Sequence, residues 1–447
     1  MVNFQFPLRL QIAYACGMLG WSILVNIVGV MLPYFYLPPS NSGLISLIPQ
    51  VVILGVFNLL AIITSAGRLF DAFYDPFIGQ LSDRSMGKLG RRIPFMLASA
   101  IPSMVFCGMV FHPLTNTPDQ SNAWWLVMTL ILFFVSATTY IIPYNALMPE
   151  LAHTSDEKVR LSTFQQVGFV LGIVLSSSVN NIADLFQQSL QLVQRIDAVQ
   201  YAVWSLSAAG VFFMFIPALF ISEKKYCKSH PSTLSIIPAM RQTFSNKNFR
   251  YYIAADFAYY MALYIITSGL LYFLTVLCGL PEEMGVVLMA TMVGVSLLFY
   301  PLINFLAHKI GKKRIVMYSF VMLACIFVFI YFLGRMPFSS TTQIYTLVIL
   351  AGFPLASLGI LPPAILAEIA ERDAERTGEN KEGLYFAVKY FAVKLGQTFG
   401  IALFATLTLY GKDPGNDLGL RLNGVFGAIL CILAALVFSR FKEMKLK

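Results

Sequence analysis

The sequence predicts an all-α membrane protein with twelve transmembrane helices in two six-helix halves and both termini cytoplasmic. Three observations carry this. Of 447 residues, 57% are hydrophobic and only 12% charged, with a mean hydropathy of +0.72; soluble domains run near half apolar and roughly a quarter charged. Apolar runs of the length needed to cross a bilayer, about 20 residues, recur along the whole chain. Lysines and arginines gather in alternate loops, as the positive-inside rule requires of a multi-pass protein.

The runs fall at 10–37, 44–80, 93–112, 123–148, 160–184, 199–221, 249–278, 284–307, 313–334, 341–368, 384–410 and 420–441. Several are long enough to cross with tilt or to extend past the bilayer. Of the 31 Lys and Arg, 24 lie on the side that holds both termini and 4 on the other, with Arg68, Lys389 and Lys394 inside helices. The net charge of +9 is thus a topology signal and not a nucleic-acid footprint. The longest polar stretch, 222–248, carries Lys224, Lys225, Lys228, Arg241 and Lys247. It divides an N-terminal half, 1–221, from a C-terminal half, 249–447. An echo between the halves points to duplication: Asp83-Arg84 and Gly90-Arg91-Arg92 follow the second helix, and His308-Lys309 and Gly311-Lys312-Lys313-Arg314 follow the eighth. Two similar halves with short loops are the architecture of secondary transporters, which bind substrate near the membrane midplane.

Other classes drop out. Short loops leave no room for a folded extramembrane domain. Six cysteines, Cys16, Cys107, Cys227, Cys278, Cys325 and Cys431, stand singly and without metal-ligand spacing, and the four histidines are far apart. There is no paired histidine, nucleophile elbow or phosphate loop, so no enzyme is expected, no cofactor beyond a coupling ion, and no resident metal. The first apolar run is long enough to span and lacks a small-residue cleavage site, so no cleavable signal peptide is expected.

Charges inside the membrane are expensive and are functional candidates by default. Arg68, Asp71 and Asp75 of the second helix lie at i, i+3 and i+7, on one stripe. With the helix ending near Ser82, Asp75 sits roughly 10 Å and Asp71 roughly 16 Å from that end. Two carboxylates one turn apart suit a hard monovalent cation, or a shared proton, since neighbouring carboxylates push one pKa upward. A static pair of Arg68 with Asp71 is the plainer alternative, but the extra acid favours a site. Lys394, twelve residues beyond Glu382, is roughly 18 Å into the membrane, too deep to snorkel easily, and reads as a functional or charge-balancing group. Lys389 is shallower and suits snorkelling or a gate pair. Asp256, six residues past Arg250, suits a local salt bridge. Among the aromatics, Trp124 and Trp125 read as interfacial anchors. Trp21, Tyr34, Tyr140, Tyr144, Tyr260 and Tyr264 present flat rings with polar tips, suited to sugars, although each alone is more often packing.

Gly67 to Gly79 reads Gly-Arg-Leu-Phe-Asp-Ala-Phe-Tyr-Asp-Pro-Phe-Ile-Gly, followed by Ser82-Asp83-Arg84 and Gly90-Arg91-Arg92-Ile93-Pro94. Ile142-Pro143-Tyr144-Asn145-Ala146-Leu147-Met148-Pro149 stands in helix four. Ala367-Glu368-Ile369-Ala370-Glu371-Arg372-Asp373, Thr377-Gly378 and Lys381-Glu382-Gly383 lead to Lys394-Leu395. With these motifs the chain resembles the glycoside–pentoside–hexuronide:cation symporters, the melibiose-permease branch of the major facilitator superfamily, over essentially its whole length.

The resemblance implies a major facilitator fold and sugar uptake coupled to sodium, lithium or protons. It places the cation site on Asp71, Asp75 and Thr138, and the helix-eleven lysine on Lys394, with Arg68 and Lys394 balancing the carboxylates. The substrate would lie between helices one, four, seven and eleven, near Trp21, Ser22, Tyr34, Tyr140, Ile141, Tyr144, Tyr260 and Lys394. In melibiose permeases two aspartates hold the galactosyl group; Ser22 and Ile141 occupy those positions here, so a galactoside is not implied. The charged loops imply a cytoplasmic gate of Asp83, Arg84, Arg91 and Arg92 against Glu371, Arg372 and Asp373. The expectation is a monomeric Na⁺- or H⁺-coupled symporter of the cytoplasmic membrane for a sugar, glycoside or hexuronide, with no nucleic-acid partner. A eukaryotic arm of the family carries lysophospholipids, so an amphiphile symporter is the alternative; a proton-coupled exporter would share the fold.

Overall fold

The computed structural model describes residues 7–36, 46–49, 52–53, 57–85, 87, 89–227, 236–281, 284–408, 410–411 and 414–443. Twelve long helices run through the described residues. In the first half these are α1 (Leu8–Asn26), α2 (Leu59–Arg84), α3 (Ile93–Val110), α4 (Gln120–Ala146), α5 (Ser155–Ser177) and α6 (Arg195–Phe220). In the second they are α7 (Lys247–Tyr272), α8 (Met284–Ile310), α9 (Lys312–Phe332), α10 (Ser340–Thr377), α11 (Glu382–Thr408) and α12 (Leu418–Ser439). Eleven contain a segment long and apolar enough to cross a membrane. The other is α2, whose Arg68, Asp71, Asp75, Asp83 and Arg84 lower its apolarity.

Local chemistry sets the ends. Asp119 caps α4, its carboxylate accepting from the Ser121 N–H at 3.4 Å, and Asn246 caps α7 through the N–H groups of Asn248 and Phe249. Gly90 and Gly311, which precede α3 and α9, have φ of 121° and 89°. A side chain there would be strained and would also strike the carboxylates of Glu223 and Glu443.

Three elements depart from the hydropathy pattern. The run expected at 44–80 becomes helical only at Leu59; before it Val52–Ile53 pairs antiparallel with Phe57–Asn58. Pro49 and Gly55 disfavour a helix there. The run at 160–184 breaks after Ser177 and resumes as a short helix, Val179–Ser189. At the break, the Ser177 and Ser178 hydroxyls both donate to the Val174 carbonyl, diverting it from the helical ladder. Helix α10 extends to Thr377, so the charged stretch 371–377 is helix and not loop. Burial and pairing of Glu368 and Asp373 remove the need for a solvated coil.

Two compact units emerge. The first comprises Met1–His153, Phe164–Ile236 and Thr377–Ala387; the second comprises Thr154–Thr163, Ile237–Arg376 and Val388–Lys447. Each therefore incorporates the start of the fifth helix of the other sequence half. Within the first unit α6 packs on α1 and α3; within the second α12 packs on α7 and α9, the same pairing repeated. Small residues make the crossings close. A Cβ at Gly20 would lie 2.2 Å from the Gly210 carbonyl oxygen in the α1–α6 contact, and one at Gly424 would lie 2.7 Å from that of Phe327 in the α9–α12 contact.

Candidate functional site

In the first unit α2 packs along α4, and the contact is polar where two membrane helices would ordinarily present apolar side chains. Asp71 and Asp75 are both buried, Asp75 completely. Across the contact the Thr138 hydroxyl donates to Asp71 Oδ1 at 2.5 Å. The neighbouring Tyr74 and Thr139 hydroxyls lie 3.4 Å apart. Pro76 follows Asp75 inside the helix and removes a backbone donor at the next position. The result is two carboxylates and a hydroxyl in a buried helix contact, an all-oxygen donor set of the kind hard cations require. Among the described residues no group of three or more His, Cys, Asp or Glu is arranged to hold a metal. The side chains of Arg68 and Tyr34 lie outside the described residues. Lys394 is half-buried on the part of α11 that belongs to the second unit.

The residues expected to meet substrate divide by what their polar atoms do. Ser22 is buried against α5, its hydroxyl donating to the Phe169 carbonyl at 2.7 Å. Tyr140 donates to the Met214 carbonyl, and Tyr144 to that of Tyr14. The Tyr14 and Tyr144 rings stack at 4.3 Å. Trp21 donates to the Ala137 carbonyl at 3.1 Å and stays partly accessible, as do Tyr260 and Tyr264; Ile141 is buried.

Of the expected gate residues, Asp83, Arg91 and Arg92 share one buried charge cluster of the first unit, whereas Glu371, Arg372 and Asp373 belong to the second. Arg92 is fully buried, with its guanidinium 3.0 Å from Asp83, 2.6 Å from Glu150 and 3.2 Å from Glu382. Burial works against its charge, but Glu150, Asp83, Glu382 and Glu223 together outweigh this and hold its pKa above the ordinary range. Arg91 pairs with Glu150 at 2.7 Å. Glu223 accepts from the backbone N–H groups of Arg91, Arg92 and Ile93 at the start of α3, where the helix dipole favours an anion. Asp83 in turn accepts from the N–H groups of Gly383 and Leu384 at 3.0 Å. Gly79 and Gly383 approach so closely that a Cβ on either would lie 2.7 Å from the carbonyl oxygen of the other. Arg84 points outward.

The second unit repeats this chemistry. Lys312, in the place of Arg91, pairs with Glu368 as Arg91 does with Glu150. Glu443 accepts from the Lys312 N–H at 2.6 Å and from the Lys313 N–H at 3.3 Å, as Glu223 does for α3. The captured segment 154–163 is tied by Lys158 to Glu371, and by the Ser162 hydroxyl to the Ile360 carbonyl. Asp373 pairs with Arg376 of its own helix at 2.9 Å, and Arg372 is partly buried.

Glu150, Glu223, Lys158, Lys312, Glu368 and Glu443 are functional candidates missed from the sequence. A signal was present. Glu150-Leu151-Ala152 and Glu368-Ile369-Ala370 stand at matching points of the two halves, and a duplicated acid after matching helices is a candidate partner for the duplicated basic loops.

The sequence matches the family described as MFS/sugar transport protein over residues 13–442. The chain belongs to the glycoside–pentoside–hexuronide:cation symporter family of the major facilitator superfamily. Its relatives in that family include an uncharacterized symporter of Synechocystis sp., 24% identical over 95% of this chain and 90% of the relative. A putative glycoside/cation symporter of Escherichia coli is 26% identical, covering 91% and 84%. The glucuronide carrier protein homolog of the same bacterium is 25% identical, covering 74% and 71%. Among solved structures, the transporter FucP in its outward conformation superposes with TM-score 0.68 at 12% identity, over 98% of this chain and 100% of that one. The proton:xylose symporter XylE gives 0.66 at 14%, over 98% and 96%. At such identities the likeness carries the fold, which is the all-helical major facilitator fold. The protein is a multi-pass membrane transporter of this family and not an enzyme.

Proposed function

We propose that this family member is a cation-coupled symporter for a sugar, glycoside or hexuronide, working by alternating access, with Na⁺ or H⁺ held by Asp71, Asp75 and Thr138. The observation that carries the reading is the buried α2–α4 contact, in which Thr138 donates to Asp71 with Asp75 one turn away. A buried carboxylate pair is costly while charged. A cation or proton that neutralises it lowers the cost of occluding the site, and this links the ion to the solute. Two relatives, a putative glycoside/cation symporter and a glucuronide carrier homolog, support a polyhydroxylated solute. Trp21, Tyr260 and Tyr264, which keep accessible surface, are better placed to meet it than the hydrogen-bonded Tyr140 and Tyr144. Lys394 and Arg68 act as counter-charges when the cation is absent.

The Arg92 cluster serves as a gate latch: Glu382, Gly383 and Leu384 are held in the first unit by Arg92 and Asp83, and the hold must break during the cycle. Twelve crossings, including α2, with cytoplasmic termini and a monomeric carrier in the cytoplasmic membrane complete the reading. The test is uptake of labelled glycosides, pentoses, hexuronides and lysolipids into proteoliposomes under imposed Na⁺ or proton gradients. Asp75→Asn should abolish gradient-driven uptake without changing the melting temperature. Uptake that keeps its cation dependence in that variant removes the site from α2, and accumulation of lysolipids alone replaces the sugar with an amphiphile.

A further inference from the structure

The second unit buries an acid and a base that the cation site leaves unused. Asp256 of α7 and Lys389 of α11 are each only 5% exposed, and their charges interact. One turn before Asp256 on the same face is Tyr252, 2% exposed. Among the described residues, neither Asp256 Oδ2 nor the Tyr252 hydroxyl has a hydrogen-bond partner. Both residues line one cavity, walled by Val316 and Phe320 of α9, Ile365 of α10 and Phe438 of α12. It gives the centre of a water-sized sphere about 10 Å³, about what one water requires.

Buried polar atoms are rarely left without partners, and a water needs two or more polar neighbours to occupy a cavity. Here a hydroxyl and a carboxylate oxygen supply two, and the remaining wall is apolar. The other titratable groups near the pair are Tyr259 and Tyr260 of α7 and Tyr390 of α11; Cys431 of α12 acts on Tyr259. Helices α9 and α10 bring only apolar side chains to the cavity wall. Lys389 is the basic group whose charge acts on the Asp256 carboxylate.

We propose that Asp256, Tyr252 and Lys389 form a proton-binding site in the second unit, in which a single water bridges Asp256 Oδ2 and the Tyr252 hydroxyl and delivers the proton. The proton arrives on the water, passes to Oδ2 to give the neutral acid, and leaves by the reverse path. No bond between heavy atoms forms or breaks. The site is separate from Asp71 and Asp75, which belong to the first unit, and it assumes nothing about the solute.

Infrared spectroscopy of the full-length protein in lipid tests it directly, through the carbonyl stretch of protonated carboxyls as pH is lowered. Wild type should show one titrating carboxyl more than Asp256→Asn, and the same component should persist in Asp75→Asn. Lys389→Gln and Tyr252→Phe should each displace its titration. Should Asp256→Asn fail to fold, the Lys389 and Tyr252 variants carry the test. Identical titrations in wild type and Asp256→Asn, or no displacement of the band in Lys389→Gln and Tyr252→Phe, overturn the proposal.

Discussion

Arg92→Gln removes a fully buried guanidinium that contacts three carboxylates, each side chain no more than 5% exposed. The variant leaves Asp83, Glu150 and Glu382 with Arg91 as their remaining arginine partner. Breaking a buried ion pair by deleting one member costs about 3–5 kcal/mol, because the other charge stays buried without compensation. The loss should therefore fall in or above that range. Neutralising one acid as well should recover part of it. In a cycle of Arg92→Gln, Glu382→Gln and the double variant, residues in one charge network should show a coupling of about 0.5–3 kcal/mol. The internal repeat supplies a control. Lys313 occupies the place of Arg92 in the second unit, but among the described residues its ammonium bonds the Ser439 carbonyl and no carboxylate, at an exposed position, so Lys313→Gln should stay within about 0.5 kcal/mol of wild type. Unfolding of the purified protein in detergent, followed by intrinsic fluorescence, reads all five proteins. If Arg92→Gln unfolds together with Lys313→Gln, or if the cycle is additive, the cluster is not an energetic latch. As the gate reading requires, charge reversal at Arg92 should also change transport rates.

Other expectations follow from single contacts. Gly20→Ala places a methyl 2.2 Å from the Gly210 carbonyl oxygen; with the α1–α6 backbones already in contact it should cost about 1–3 kcal/mol, seen as a lowered melting temperature. Glu223→Gln and Glu443→Gln each remove a carboxylate that receives N–H groups at a helix start. Each should destabilise by about 0.5–2 kcal/mol, with the larger effect at Glu223, which is buried and receives three N–H groups where the exposed Glu443 receives two. Thr138→Ala deletes the donor to Asp71 and should weaken cation stimulation of uptake several-fold, whereas Thr138→Ser should keep it; equal behaviour of the two variants would place the hydroxyl outside the cation site.

Hydropathy located the helices well because their crossing segments must be apolar wherever they face lipid. It failed where residues leave that environment. At 371–377 the charges read as loop, yet the segment is helical: Asp373 is buried and paired with Arg376, and Glu368, just before it, is buried and paired with Lys312. The pairing joins residues 56 positions apart in one case and three in the other, and periodicity contains no trace of the first. Asp71 and Asp75 were legible because charge in a membrane helix is conspicuous, and Thr138 came only through family resemblance. Ser22, Tyr140 and Tyr144 show the converse limit. Their residue types suit a sugar, but a hydroxyl 2.7 Å from Phe169 O or 2.8 Å from Met214 O is already committed to packing, and that commitment is a property of the fold.

The duplication separates shared machinery from specialised chemistry. Gly90 and Gly311, Arg91 and Lys312, Glu150 and Glu368, and Glu223 and Glu443 stand in equivalent roles, so this framework serves whatever both halves must do alike. Pro76 of α2 and Pro301 of α8 mark equivalent points in the two helices. Counting back from them, Asp75 corresponds to Tyr300 and Asp71 to Ser296. The acid pair thus exists only in the first half, while Asp256 and Lys389 are buried only in the second unit. The shared framework of glycines, basic residues and capping acids is thus kept in duplicate, while the buried acids Asp71, Asp75 and Asp256 stand singly. The residues that broke the repeat are where ion and proton chemistry should be sought first.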